Sequence, residues 1–157
     1  MSSAIAIVKP LHSQGNLYEA VKASWKIGML FKHAHVYLKI KINKVWAKQL
    51  EGQTVVELNA DEPFTTERLL IGNFASALAV TKTAIKQVNL GKQRWVAPKV
   101  VVHPLAYTEG GLSPVEKRLF WELAASANSF DVRVWEGTEL SDNQVVELFQ
   151  SKASYLL

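Results

Sequence analysis

The chain has 157 residues, 48% hydrophobic and 20% charged: enough for one domain with a buried core, too short for two lobes around a cleft, and too apolar for a mainly disordered state. Lysine and arginine number 18 against 14 acidic residues, a net charge of +4 spread along the chain, which points to anionic partners only weakly. The absence of cysteine excludes disulfides, thiolate catalysis and cysteine-based zinc sites.

Residues 1–15 read as a flexible arm. Its short apolar stretch stops at Lys9-Pro10 and has no charged region ahead of it, and no run of about 18 apolar residues occurs anywhere, so a cytoplasmic location is expected. Asn16 is placed to cap an amphipathic helix from Leu17 to about Lys32. Its apolar stripe includes Trp25 and Phe31, and Lys22 and Lys26 lie opposite. The hydrophobic period then changes from 3.6 to two. Val36, Leu38, Ile40 and Ile42 alternate with Tyr37, Lys39 and Lys41, the pattern of a half-buried strand. A turn at Asn43-Lys44, a strand from Val45 to Leu50, a turn at Glu51-Gly52 and a strand from Thr54 to Leu58 complete an antiparallel meander.

After a loop around Pro63, Asn73 is placed to cap a long helix through Phe74, Leu78, Thr81, Ile85 and Val88, with Gly91 as its C-terminal stop. The β-branched run Lys99–His103 reads as a strand buried on both faces. Ser113-Pro114-Val115-Glu116 combines a capping serine, a proline at the first helical position and a capping-box glutamate. A strand over Asp131–Glu136 and a short helix capped by Ser141 follow, and residues 151–157 read as a frayed tail. Residues 16–150 are thus expected to form a single α/β domain. Its mixed five-stranded sheet has the order 3-2-1-4-5, a ribonuclease H-like arrangement with flanking helices.

The segment Pro98-Lys99-Val100-Val101-Val102, followed by Ser113-Pro114-Val115-Glu116-Lys117-Arg118, Ala124-Ala125-Ser126-Ala127 and the strand ending at Glu136, resembles the MreB-type bacterial actin homologues. Leu70-Ile71-Gly72-Asn73-Phe74 is similar to that family's I-x-D-F segment, with Asn73 at the Asp position. The resemblance covers roughly residues 36–136 and implies an isolated first subdomain of the actin-like fold. It aligns Glu116 with the family's water-orienting acid for ATP hydrolysis. The strand that should carry the family's Asp-x-Gly-Thr phosphate loop reads Val36–Asn43 here and contains neither Asp nor Gly, so it can neither place Mg²⁺ nor admit phosphates to its backbone. Ser113 and Glu116 are therefore expected to match the family in sequence but to serve the helix cap. No catalytic residue, metal site or cofactor is expected.

Other chemistries are weakly supported. A two-metal nuclease needs clustered carboxylates, whereas Glu109, Glu116, Asp131 and Glu136 lie on separate elements. His33 and His35 make an incomplete metal pair, and His103 reads as a strand-terminal residue bonding to its loop. Gly110-Gly111 is better explained by turn geometry than by an anion site. Two groups interleave basic and aromatic residues: Lys82, Lys86, Lys92, Arg94 and Lys99 with Trp95, and Lys39, Lys41, Lys44 and Lys48 with Trp46.

The expected function is a non-enzymatic, actin-like scaffold or protein-interaction module without ATP binding, with a protein partner or self-association. The alternative is a basic nucleic-acid-binding domain on the same sheet. Trp25, Phe31, Lys22 and Lys26 on the leading helix are candidate interaction residues. Packing within the chain or a dimer is favoured there over a membrane surface, because so few cations line the polar face.

Overall fold

The computed structural model describes residues 32–90 and 95–151, together with Glu19, Ala20 and Lys22. The chain divides into two units, Met1–Lys32 and His33–Leu157. In the first, Glu19, Ala20 and Lys22 are helical, as expected for the leading helix, whereas Trp25, Lys26 and Phe31 lie outside the described residues. So do Gly91, Lys92, Arg94 and the tail beyond Ser151.

The second unit is an α/β layer structure built on strands β1 (His35–Lys41), β2 (Lys44–Gln49), β3 (Thr54–Asn59), β4 (Lys99–Pro104) and β5 (Asp131–Val134). The helices are α1 (Phe74–Val88), α2 (Pro114–Ser126) and α3 (Asp142–Gln150). The sheet order is β3-β2-β1-β4-β5, with an antiparallel meander on one side of β1 and parallel β4 and β5 on the other. Among the described residues no helix is long and apolar enough to cross a membrane.

The first hairpin turns at Ile42-Asn43, one residue earlier than expected, with Lys41 opposite Lys44. The shift follows from Asn43, which adopts φ 53° and turns its carboxamide oxygen onto the backbone N–H groups of Phe64 and Thr65, both at 2.8 Å. Phe64 is thereby seated in the core.

Helices α1 and α2 cover one face of the sheet. Val36, Leu38, Ile40, Val45, Ala47, Val100 and Val102 meet Ala77, Ala84, Ile85, Val88, Phe120 and Leu123 there. The buried side of α1 is centred on Ala77, Thr81, Ala84 and Val88, leaving Phe74 and Leu78 only partly buried. Its C-cap is Asn89 rather than Gly91: the Asn89 backbone N–H donates to Ile85 and its carboxamide N–H to Val96, which ends the helix two residues sooner. At Gly72, just before the helix, a Cβ would lie 2.1 Å from the Thr66 methyl group, so any larger residue would force Thr66 to move.

The other face carries α3, whose Val145 and Leu148 pack with Tyr37, Leu50 and Val101. This corrects the half-buried reading of β1. The strand is central and covered on both faces, so Tyr37 is buried and the Lys39 ammonium lies over the Tyr37 and Trp46 rings, 5.1 and 4.3 Å from their centroids. Strand β5 ends at Val134, two residues short of expectation, although Trp135 still donates to Val102.

Candidate functional site

The resemblance places chemistry at the N-terminus of α2. There Ser113 Oγ accepts from the Glu116 N–H at 3.3 Å, and Glu116 Oε2 accepts from the Ser113 N–H at 2.8 Å and its hydroxyl at 2.7 Å. Those bonds hold the Glu116 carboxyl below the usual carboxylate range. It is directed back at its own helix cap. Gly110 and Gly111 take φ values of 83° and 86°, the left-handed conformation that glycine adopts without strain. Beside that turn, Glu136 accepts from the Leu112 N–H at 2.9 Å and pairs with Lys117 at 2.7 Å; Lys117, then Leu112, keep its carboxyl ionised at lower pH than usual. A phosphate at the turn would meet this carboxylate. Asp131 is bound by Arg133. Among the described residues, no group of three or more histidines and carboxylates stands close enough to hold a metal ion.

His33 Nδ1 donates to Ala97 O at 2.7 Å, with its ring stacked on Phe130. His35 Nδ1 donates to Glu51 at 2.7 Å. The two rings thus take separate partners rather than forming a pair. Burial pushes the Glu51 carboxyl upward, but its bonds from the His35 ring and backbone outweigh this, and it titrates below its ordinary value.

A buried polar chain that periodicity did not reveal crosses under α3. Leu140 N–H donates to Tyr37 Oη at 3.2 Å, and Tyr37 lies 2.6 Å from His103 Nδ1. His103 Nε2 lies 3.0 Å from Gly137 O. A carbonyl only accepts, so Nε2 carries the proton, Nδ1 is the acceptor and the Tyr37 hydroxyl donates to it. This polarity needs a neutral imidazole. Burial lowers the His103 value below 6.5 and raises that of Tyr37. His103 therefore bonds to the loop after β5, not to the loop following its own strand.

The two basic–aromatic groups separate in the structure. Lys39 pairs with Glu139 at 2.9 Å, Lys41 and Lys44 with Glu57 at 2.9 and 3.3 Å, and Lys48 with Asp142 at 2.9 Å. Every lysine of the Trp46 group thus has a carboxylate partner. Lys99 leaves the other group altogether, its ammonium lying 5.7 Å above the Phe149 ring on the α3 face. Lys82 and Lys86 remain beside Trp95, and among the described residues neither makes an ion pair. They line a cleft of about 560 Å³ together with Ile85, Leu90, Trp95 and Pro98. Leu90 is 60% exposed and Trp95 79%.

A second hollow, of about 500 Å³, lies at the other end of the same helix. Leu58, Ala75, Ala79 and Val80 give it an apolar floor, and among the described residues Asp61 and Glu62 are the charged ones that line it. Composition could not have singled out this hollow. Its acids stand in the β3–α1 loop and its floor on the helix that follows.

No protein-family model matches the chain. Among curated proteins it is similar to the uncharacterised protein YjaA of Escherichia coli (strain K12), with 30% identity over 127 residues that span 74% of this chain and 98% of that protein.

Proposed function

We propose that this chain, which belongs to the family of Escherichia coli YjaA, is a non-enzymatic protein-interaction module on a ribonuclease H-like sheet, resembling the first subdomain of an MreB-type actin homologue. The strand order and the pairing of β1 with an antiparallel meander on one side and β4 on the other support the fold part of this reading. The functional part is carried by one observation: Leu90 and Trp95 are exposed beside Lys82 and Lys86, two cations that make no ion pair among the described residues. Isolated exposed apolar residues are ordinary, but an apolar cleft walled on one side by unneutralised charge is the anatomy of a docking surface.

Two features weigh against a nucleotide at the positions the resemblance would use. Glu116 is held by Ser113, and β1 presents Lys39 and Lys41, each already paired with a carboxylate. Titration calorimetry with Mg-ATP tests this, with no heat beyond dilution expected. A micromolar constant, or ATP turnover abolished by Glu116→Gln, would replace the module with a nucleotide-dependent protein.

A nucleic-acid reading has its own support in the shared cleft of Lys82, Lys86 and Trp95, since cations around an exposed indole suit a stacked base on a phosphate backbone. A salt-dependent gel shift lost in Lys82→Glu/Lys86→Glu would favour it.

A further inference from the structure

The outward side of α1 changes character along its length. Toward the N-terminus it is made of small residues, Ala75 and Ala79, beside the hollow where Asp61 and Glu62 stand. Toward the C-terminus it carries Lys82 and Lys86, with Leu90 just past the helix end and Trp95 alongside. Thr83 is shared between the acid-lined hollow and a shallow depression formed by Lys82, Lys86, Gln87 and Leu90, so the acidic and basic regions are continuous across the helix. Asp61 and Glu62 make no ion pair among the described residues, just as Lys82 and Lys86 make none. Each half therefore has the charge that the other half lacks: a cleft rimmed by exposed Leu90 and Trp95 with two cations, and an apolar-floored hollow with two carboxylates.

We propose that this face binds a second copy of the same chain, with the two α1 helices antiparallel about a two-fold axis passing near Ala79 and Thr83. One rotation then places the Leu90–Trp95 end of each copy over the Asp61–Glu62 hollow of the other, so both contacts form at once. An isologous interface requires a surface that is complementary to itself under this operation, and two-fold dimers are the commonest closed assembly. Small side chains at the crossing let the helices approach closely. Among the described residues the charges lining the two hollows are of opposite sign, so the antiparallel orientation is attractive while the parallel one sets lysine against lysine. The inference rests on the interaction-module reading and names its partner.

Sedimentation velocity of the full chain over a wide concentration range tests it. The weight-average mass is expected to rise from the monomer, level off at twice that value, and shift to higher concentration in molar salt. Lys82→Glu/Lys86→Glu and Asp61→Lys/Glu62→Lys should each dimerise at least about tenfold more weakly, since each change turns four attractive charges per interface repulsive. An equimolar mixture of the two variants should recover the dimer, because both half-contacts are then again oppositely charged. All four residues are exposed, and unchanged far-ultraviolet circular dichroism confirms that the variants are folded. A monomer at every concentration, growth beyond the dimer, a dimer indifferent to the reversals, or a mixture that stays monomeric would each overturn the two-fold interface. A monomer that shifts an oligonucleotide through Lys82 and Lys86 would also overturn it and give the basic wall to nucleic acid. Mg-ATP calorimetry fails independently of these measurements, so loss of the dimer and loss of the non-enzymatic reading are separate results.

Discussion

The two faces of the sheet are stabilised by different means. Under α1 and α2 the contacts are almost wholly apolar, and Leu123, Val36, Leu38 and Val100 are completely buried. Under α3 only a few apolar side chains meet, and the remainder is a bonded chain through Leu140, Tyr37, His103 and Gly137 with a surround of lysine–carboxylate pairs. A helix of nine residues cannot cover the sheet with hydrophobic area alone, so polar groups with fixed partners position it. The first face is consequently expected to respond little to pH, and the second to depend on protonation and salt.

Leucine truncations should show the contrast most strongly. Leu123→Ala is expected to cost toward the upper end of the ~2–5 kcal/mol range for buried leucine, and Leu148→Ala toward its lower end, because the α3 side lies near solvent and can relax. Denaturant melts measure both, and equal losses would break the comparison. Tyr37→Phe comes next. It leaves His103 Nδ1 and the Leu140 N–H without their partner and should cost about 1–3 kcal/mol, with the α3 region becoming more accessible to hydrogen exchange while α1 is unaffected.

The capping boxes give a matched pair, since Ser113 with Glu116 and Ser141 with Gln144 repeat one motif on opposite faces. Ser113→Ala and Ser141→Ala should each cost about 1 kcal/mol, while Glu116→Gln costs only a few tenths because glutamine also fills that position. A Ser113→Ala variant as stable as wild type would remove the structural account of Glu116. The smallest effect is that of pH. His103 is neutral when folded and its value lies below 6.5, so the unfolded chain binds the proton more readily. The stabilisation from the neutral ring is complete above pH 6.5 and is lost as pH falls through the lowered folded value. Tyr37, Glu139 and Lys39 are the groups facing it. Wild-type stability should therefore decline on acidification from pH 6.5, and His103→Leu, though less stable, should show a flatter dependence. Parallel slopes for the two proteins would exclude His103 as the source.

What could be read from the sequence was what is decided locally. Asn73, Ser113 and Ser141 each cap a helix at the expected place, because a cap involves three or four consecutive residues. Strand order was equally accessible, since short turns make a meander and β–α–β links make parallel neighbours. The burial of Tyr37 was not accessible. It alternates with apolar residues as a surface position would, and the partners that bury it, His103 and Leu140, come 66 and 103 residues later. The same distance concealed the neutralisation of the strand lysines by Glu139 and Asp142. Nothing in the spacing of Lys82 and Lys86 distinguished them from those lysines. That they make no ion pair among the described residues is a property of the assembled surface.

The Asn43 carboxamide links two regions that would otherwise open separately. Phe64 and Thr65 lie in a stretch without regular secondary structure, yet their amide protons are held by a side chain at the tip of the first hairpin. Those two protons are expected to exchange with water when their bonds to the Asn43 carboxamide break. In kinetic terms the β3–α1 loop is expected to open together with β1 and β2, held to them in part by one asparagine about twenty residues away.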